Sequence, residues 1–135
     1  MNESILTYNY KGKIEIDFLK SENLYLNATE TAKNFGKDVR EWKRAKQTIE
    51  YIEALTDVGN FHIENLIFIR KGGNNKKAQG TWIHKKLILS FARWLDPYFA
   101  VWCDGVIEEI LTTGSYSIAK HDEPDLEKIK KRKLN

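Results

Sequence analysis

The sequence predicts an α+β domain, and three observations carry that expectation. Residues 5–19 alternate apolar and polar side chains in two runs joined at a glycine, as a strand hairpin does. Helix-capping signals recur at Asn27, Asp38 and Asp96. Residues 84–110 carry two apolar stripes of helical period. With 135 residues there is room for one compact domain, expected over 1–114, and a polar basic segment over 115–135 that is a tail or the start of a further region. Hydrophobic residues at 41% and aromatics at 12% suffice for a packed core.

The hairpin runs from Ile5 to Leu19 with its turn at Lys11-Gly12-Lys13, and period two puts Ile14, Ile16 and Phe18 on one face. A short strand, Leu24-Tyr25-Leu26, leads into Asn27-Ala28-Thr29-Glu30, where Asn27 or Thr29 caps a short helix that Gly36 closes. Asp38, with Glu41 three residues on, caps a second helix carrying Val39, Trp42, Ala45 and Ile49 at three-and-four spacing. Helix, glycine turn and helix together have the size of a helix-turn-helix, a size shared by many helical hairpins that bind no DNA. Further helix follows through Tyr51, Ile52 and Leu55 to Gly59. Leu66 to Arg70 and Thr81-Trp82-Ile83 read as strands joined by the loop Lys71 to Gly80, whose tip has no apolar side chain larger than Ala78. Such a tip has nothing to bury, and it is either a solvated loop or a contact element. His84 to Asp96 is a helix with Leu87, Ile88, Phe91, Ala92 and Leu95 inward. Asp96-Pro97 then opens a last helix with Phe99, Trp102, Val106 and Ile110 on one side, ended by Gly114.

Charge is unevenly spread. Residues 33–86 hold twelve Lys/Arg against six Asp/Glu, whereas residues 1–32 and 87–119 are mildly acidic. A central basic segment is what one face directed at a polyanion needs, although solvated surface lysines give the same count. Arg40, Lys43 and Arg44 stand at i, i+3 and i+4, a like-charge arrangement that an anionic ligand would relieve.

Two blocks resemble the KilA-N family of phage and large DNA-virus proteins, which is related to the fungal APSES DNA-binding domain. They are Tyr25-Leu26-Asn27-Ala28-Thr29-Glu30 with Ala32 and Phe35-Gly36-Lys37, and Gly80-Thr81-Trp82-Ile83-His84 followed by Ala92-Arg93-Trp94-Leu95-Asp96-Pro97 and Phe99. The resemblance spans roughly residues 5 to 112. It implies a compact, winged-helix-like α+β domain with a helix-turn-helix, a basic β-hairpin wing and two C-terminal scaffold helices. Gly80 then ends the wing. Trp82 is expected in the core with Phe91, Trp94, Leu95 and Trp102.

On that reading the partner is double-stranded DNA, bound in a phage or prophage regulatory protein. Lys33, Lys43, Lys46, Arg70, Lys71, Lys85 and Lys86 are expected to hold phosphates. Arg40, Arg44 and the wing residues Asn74, Asn75, Lys76, Lys77 and Gln79 are expected to reach base edges, and Lys37 on the same helical unit is a further expected DNA contact. The wing tip is not a family-fixed sequence. The alternative is an antirepressor-type module that binds a host or phage regulatory protein and has no strong DNA affinity.

Enzyme chemistry is not expected. His62, His84 and His121 have no ligand spacing, Cys103 is the single cysteine, and Gly72-Gly73 lacks the Lys-Ser/Thr of a phosphate-cradling loop. Glu108-Glu109 reads as a solvated pair. No metal or cofactor is expected, no apolar run is long enough for a membrane span, and no secretory block precedes Glu3, so the expected compartment is a reducing cytoplasm. Oligomeric state has no signature in the sequence.

Overall fold

The computed structural model describes residues 3–113. Five antiparallel strands, β1 (Ser4–Tyr10), β2 (Ile14–Lys20), β3 (Leu24–Asn27), β4 (Ile67–Arg70) and β5 (Gly80–His84), form one sheet in the order β1-β2-β3-β5-β4. Six helices accompany it: α1 (Ala28–Asn34), α2 (Val39–Arg44), α3 (Lys46–Asp57), α4 (Ile63–Leu66), α5 (Lys85–Leu95) and α6 (Pro97–Thr113). This is the expected α+β class.

Alternation along the strands divides the apolar residues between two faces. Tyr8, Ile16, Phe18, Leu26 and Ile83 face the helices and meet Leu87, Phe91, Phe99, Trp102 and Val106 in the main core. Each such side chain contributes about 1.5–3 kcal/mol through burial. Leu19, Tyr25 and Trp82 make a second cluster, flanked by Ile5 and Phe68. Trp82 is fully buried, as expected, but in this second cluster and not with Phe91, Leu95 and Trp102. Trp94 is only half-buried and packs at the margin of the main core.

The sheet is strongly coiled. Its edge strands are β1 and β4, which in a flat sheet of five would lie about 19 Å apart. Yet Arg70 at the end of β4 forms an ion pair with Glu3, just ahead of β1, at 2.5 Å. The edges have therefore curled toward one another around the Trp82 cluster.

Local caps form where the sequence placed them. Asn27 Oδ1 accepts from the Glu30 amide at 3.1 Å, Asp38 Oδ1 from the Arg40 amide at 2.9 Å, and Asp96 Oδ1 from the Tyr98 and Phe99 amides at 2.8 and 3.0 Å. Three boundaries differ from expectation. The second helix does not continue to Ile49: Ala45 is extended (φ −62°, ψ 137°) and separates α2 from α3, leaving Ile49 45% exposed. Alanine favours helix, so local preference does not explain the break. Trp42 and Thr48 are both buried, and six residues apart on one straight helix they would point about 120° apart. Breaking at Ala45 lets both turn inward and brings Ile52 and Leu55 onto the core. Ile63–Leu66 is a helical turn, with Leu66 buried, so β4 begins at Ile67 and not at Leu66. His84 is the cap of α5, its Nδ1 accepting from the Lys86 amide at 3.0 Å. Gly114 and the basic segment 115–135 lie outside the described residues.

Candidate nucleic-acid interface

The two sequence blocks meet at the start of α1. The Asn27 side chain caps that helix, and its Nδ2 also donates to the Gln79 carbonyl at 2.9 Å. Thr29, the other candidate cap, does something else: its Oγ1 accepts from the Thr81 amide at 2.8 Å. Gly80 lies between these two straps at φ +123°, and a Cβ there would come within 2.9 Å of Asn27 Oδ1 and 3.3 Å of the Thr29 Cβ. The helical unit and the β4–β5 hairpin are thus joined by partly buried hydrogen bonds across more than fifty residues of sequence.

Between them runs a groove of about 900 Å³. Thr29, Glu30, Lys33, Lys37, Asp38, Val39, Arg40 and Lys43 form one wall, and Ile69, Arg70, Lys71, Gly72, Lys76, Gln79, Gly80 and Thr81 form the other. Seven cations line it against two carboxylates.

Three of the seven are paired within the chain. Lys33 lies 3.4 Å from Glu30, Arg40 grips Asp38 through Nε and Nη2 at 2.7–3.2 Å, and Arg70 pairs with Glu3. Hydrogen bonds from the Arg40 side chain and amide hold the Asp38 carboxyl down to about 2, and those from Arg70 lower that of Glu3. Both are anionic at neutral pH. Lys37 donates to the Trp94 carbonyl at 2.8 Å, with its ammonium 4.6 Å from the Trp94 ring, so it is oriented without being neutralised. Lys43, Lys71 and Lys76 have no ion-pair partner among the described residues.

Of the residues expected to contact DNA, Lys33, Lys37, Arg40, Lys43, Arg70, Lys71, Lys76 and Gln79 converge on this groove. The remaining seven do not line it. Arg44 ends α2 and Lys46 opens α3 beyond the Ala45 break. Lys85 and Lys86 lie at the far end of β5, where Lys86 stands over the Phe61 ring. Asn75 Oδ1 accepts from the Lys77 amide at 3.1 Å, capping a short 3₁₀ turn at Lys76–Ala78, while Asn74 is exposed beside it. The Lys77 ammonium turns the other way, toward Thr7, Glu15 and Asp17 on the β1–β2 hairpin. The loop is thus folded onto the sheet. Asn27, Thr29 and Thr81 as straps, and Glu3 and Asp17 as anchors, went unread in the sequence because each acts on a residue more than fifty positions away.

Residues 9–113, most of the chain, match the family model described as the KilA-N domain. The chain belongs to the KilA-N domain family. Two Acanthamoeba polyphaga mimivirus proteins, each named as KilA-N domain-containing, are 32% identical to it. One matches over 83 residues, 62% of this chain and 22% of its own length, and the other over 103 residues, 73% and 29%. The KilA-N chain thus spans less than a third of the length of these two relatives. An uncharacterised protein of fowlpox virus is 25% identical over 104 residues, 75% of this chain and 68% of its own length. No solved structure matches significantly. KilA-N domains occur in viral proteins, are often DNA-binding and are not generally enzymatic. Among the described residues no cluster of His, Cys, Asp or Glu could hold a metal ion, and no helix is long and apolar enough to cross a membrane.

Proposed function

We propose that this KilA-N domain binds double-stranded DNA through the groove between α1–α2 and the β4–β5 hairpin, within a phage or viral regulatory protein. The observation that carries the reading is the convergence of Lys33, Lys37, Arg40 and Lys43 from the helical unit with Arg70, Lys71 and Lys76 from the hairpin. Lys37, Lys43, Lys71 and Lys76, which no carboxylate neutralises among the described residues, are the phosphate ligands. Arg40 and Gln79 are the groups placed to reach base edges, Arg40 by exchanging its Asp38 partner for an acceptor on a base. The hairpin acts as the second wall of the groove and not as a detached wing.

Counterion release gives the test. Each neutralised phosphate adds about −0.9 to the slope of log affinity against log salt, so four to seven contacts give a slope of about −4 to −6. Titration of a random duplex between low and moderate salt reads it directly. A slope flatter than about −2 would mean that these cations are ordinary solvated charges, and would favour the alternative in which the domain binds a regulatory protein.

A further inference from the structure

We infer that Lys77 is a positioning residue: its ammonium latches the 71–79 loop onto the β1–β2 hairpin so that Lys71 and Lys76 face the groove, and it does not itself contact DNA. The inference rests on the groove being the DNA interface. Lys77 Nζ donates to Thr7 Oγ1 at 3.1 Å and lies 3.7 Å from both Glu15 Oε1 and Asp17 Oδ1. Thr7 in turn donates to Asp17 Oδ1 at 2.6 Å.

Asp17 gives this pair its weight. Its side chain is only 12% exposed, and Lys77 is its cation among the described residues. A carboxylate so far withdrawn from water is costly to leave unpaired. Releasing Lys77 to a phosphate would leave it only the neutral Thr7 hydroxyl, whereas Lys71 and Lys76 have no ion pair to give up among the described residues. Two further bonds hold the same short turn: Trp82 Nε1 donates to the Ala78 carbonyl at 2.9 Å, and Asn27 Nδ2 to that of Gln79. With the turn held at Ala78 and Gln79, adjacent residues ahead of it separate, Lys77 to the β1–β2 hairpin and Lys76 to the groove.

The full chain carries the test as Lys77→Met, Lys76→Met and Asp17→Asn. Duplex affinity is measured against salt, and amide exchange of residues 75–79 without DNA. Loss of the latch is expected to weaken binding by about two- to fivefold in Lys77→Met, with the salt slope nearly unchanged. Lys76→Met should instead flatten the slope by about one. Asp17→Asn is the sharpest arm. Removing a negative charge from a DNA-binding protein ordinarily tightens binding, whereas a lost latch weakens it by a similar two- to fivefold, again with faster exchange of the turn. The inference is overturned if Lys77→Met flattens the slope by about one and Asp17→Asn binds as tightly as the parent or tighter, or if exchange of the turn is unchanged in both. A flat salt slope in the parent would sink the DNA reading separately, leaving the exchange measurement to decide the latch.

Discussion

Replacing Gly80 with alanine tests whether the straps between α1 and the hairpin hold the fold together. At φ +123° a residue with a Cβ occupies a sparsely populated backbone region, at a cost of about 1–3 kcal/mol. The added methyl would also stand 2.9 Å from Asn27 Oδ1 and 3.3 Å from its Nδ2. Asn27 is fully buried, caps α1 and holds the Gln79 carbonyl, so it has no solvent into which to swing. Displacing it leaves buried groups short of partners, a further loss of about 1–3 kcal/mol. Together the substitution should cost about 2–6 kcal/mol, a large share of the stability typical of a small domain. Gly36→Ala is the control. It has φ +69°, and a methyl there would meet nothing within 4 Å, so only the left-handed backbone is penalised, by about 1–2 kcal/mol. Urea unfolding followed by tryptophan fluorescence and far-ultraviolet circular dichroism gives both values. Equal losses in the two variants would refute the wedge against Asn27.

Trp82→Ala should cost about 3–5 kcal/mol in the same assay, from the emptied second cluster, and Trp94→Ala clearly less, because Trp94 is half-buried; equal costs would contradict the division of the aromatics. Lys37→Met with Lys43→Met is expected to flatten the salt slope of duplex binding by about two, whereas Lys85→Met with Lys86→Met should leave it unchanged; the reverse would move the interface to the start of α5. Stability should also depend on His84. Burial, reinforced by Lys85 and Lys86, lowers its pKa below 6.5, and its neutral Nδ1 is the acceptor that caps α5. The unfolded chain therefore takes up the proton first, so the contribution is complete above pH 6.5 and declines as pH falls toward the depressed folded value. Thermal melts at stepped pH should show that decline in the parent and a flatter profile in His84→Asn; identical profiles would refute it.

What local chemistry can specify, the sequence determined by itself. Period two assigned the β1–β2 hairpin, and the register pairs Tyr10 with Ile14 across Lys11-Gly12-Lys13 as the alternation required. Asn27, Asp38 and Asp96 began helices because their side chains reach amides two or three residues on, and the stripes of α5 and α6 were buried as their spacing demanded. The basic character of residues 33–86 was equally plain in the sequence, but not which charges gather. Tertiary structure decided that, because the deciding partners are remote. Asp17 draws Lys77 away, Glu3 engages Arg70 once the sheet has coiled, and the straps from Asn27 and Thr29 set the hairpin against α1 to make the groove. The break at Ala45 has the same origin: no local preference ends a helix at alanine, but the separate burial of Trp42 and Thr48 does, and Lys46 beyond it does not line the groove that Lys43 helps to form.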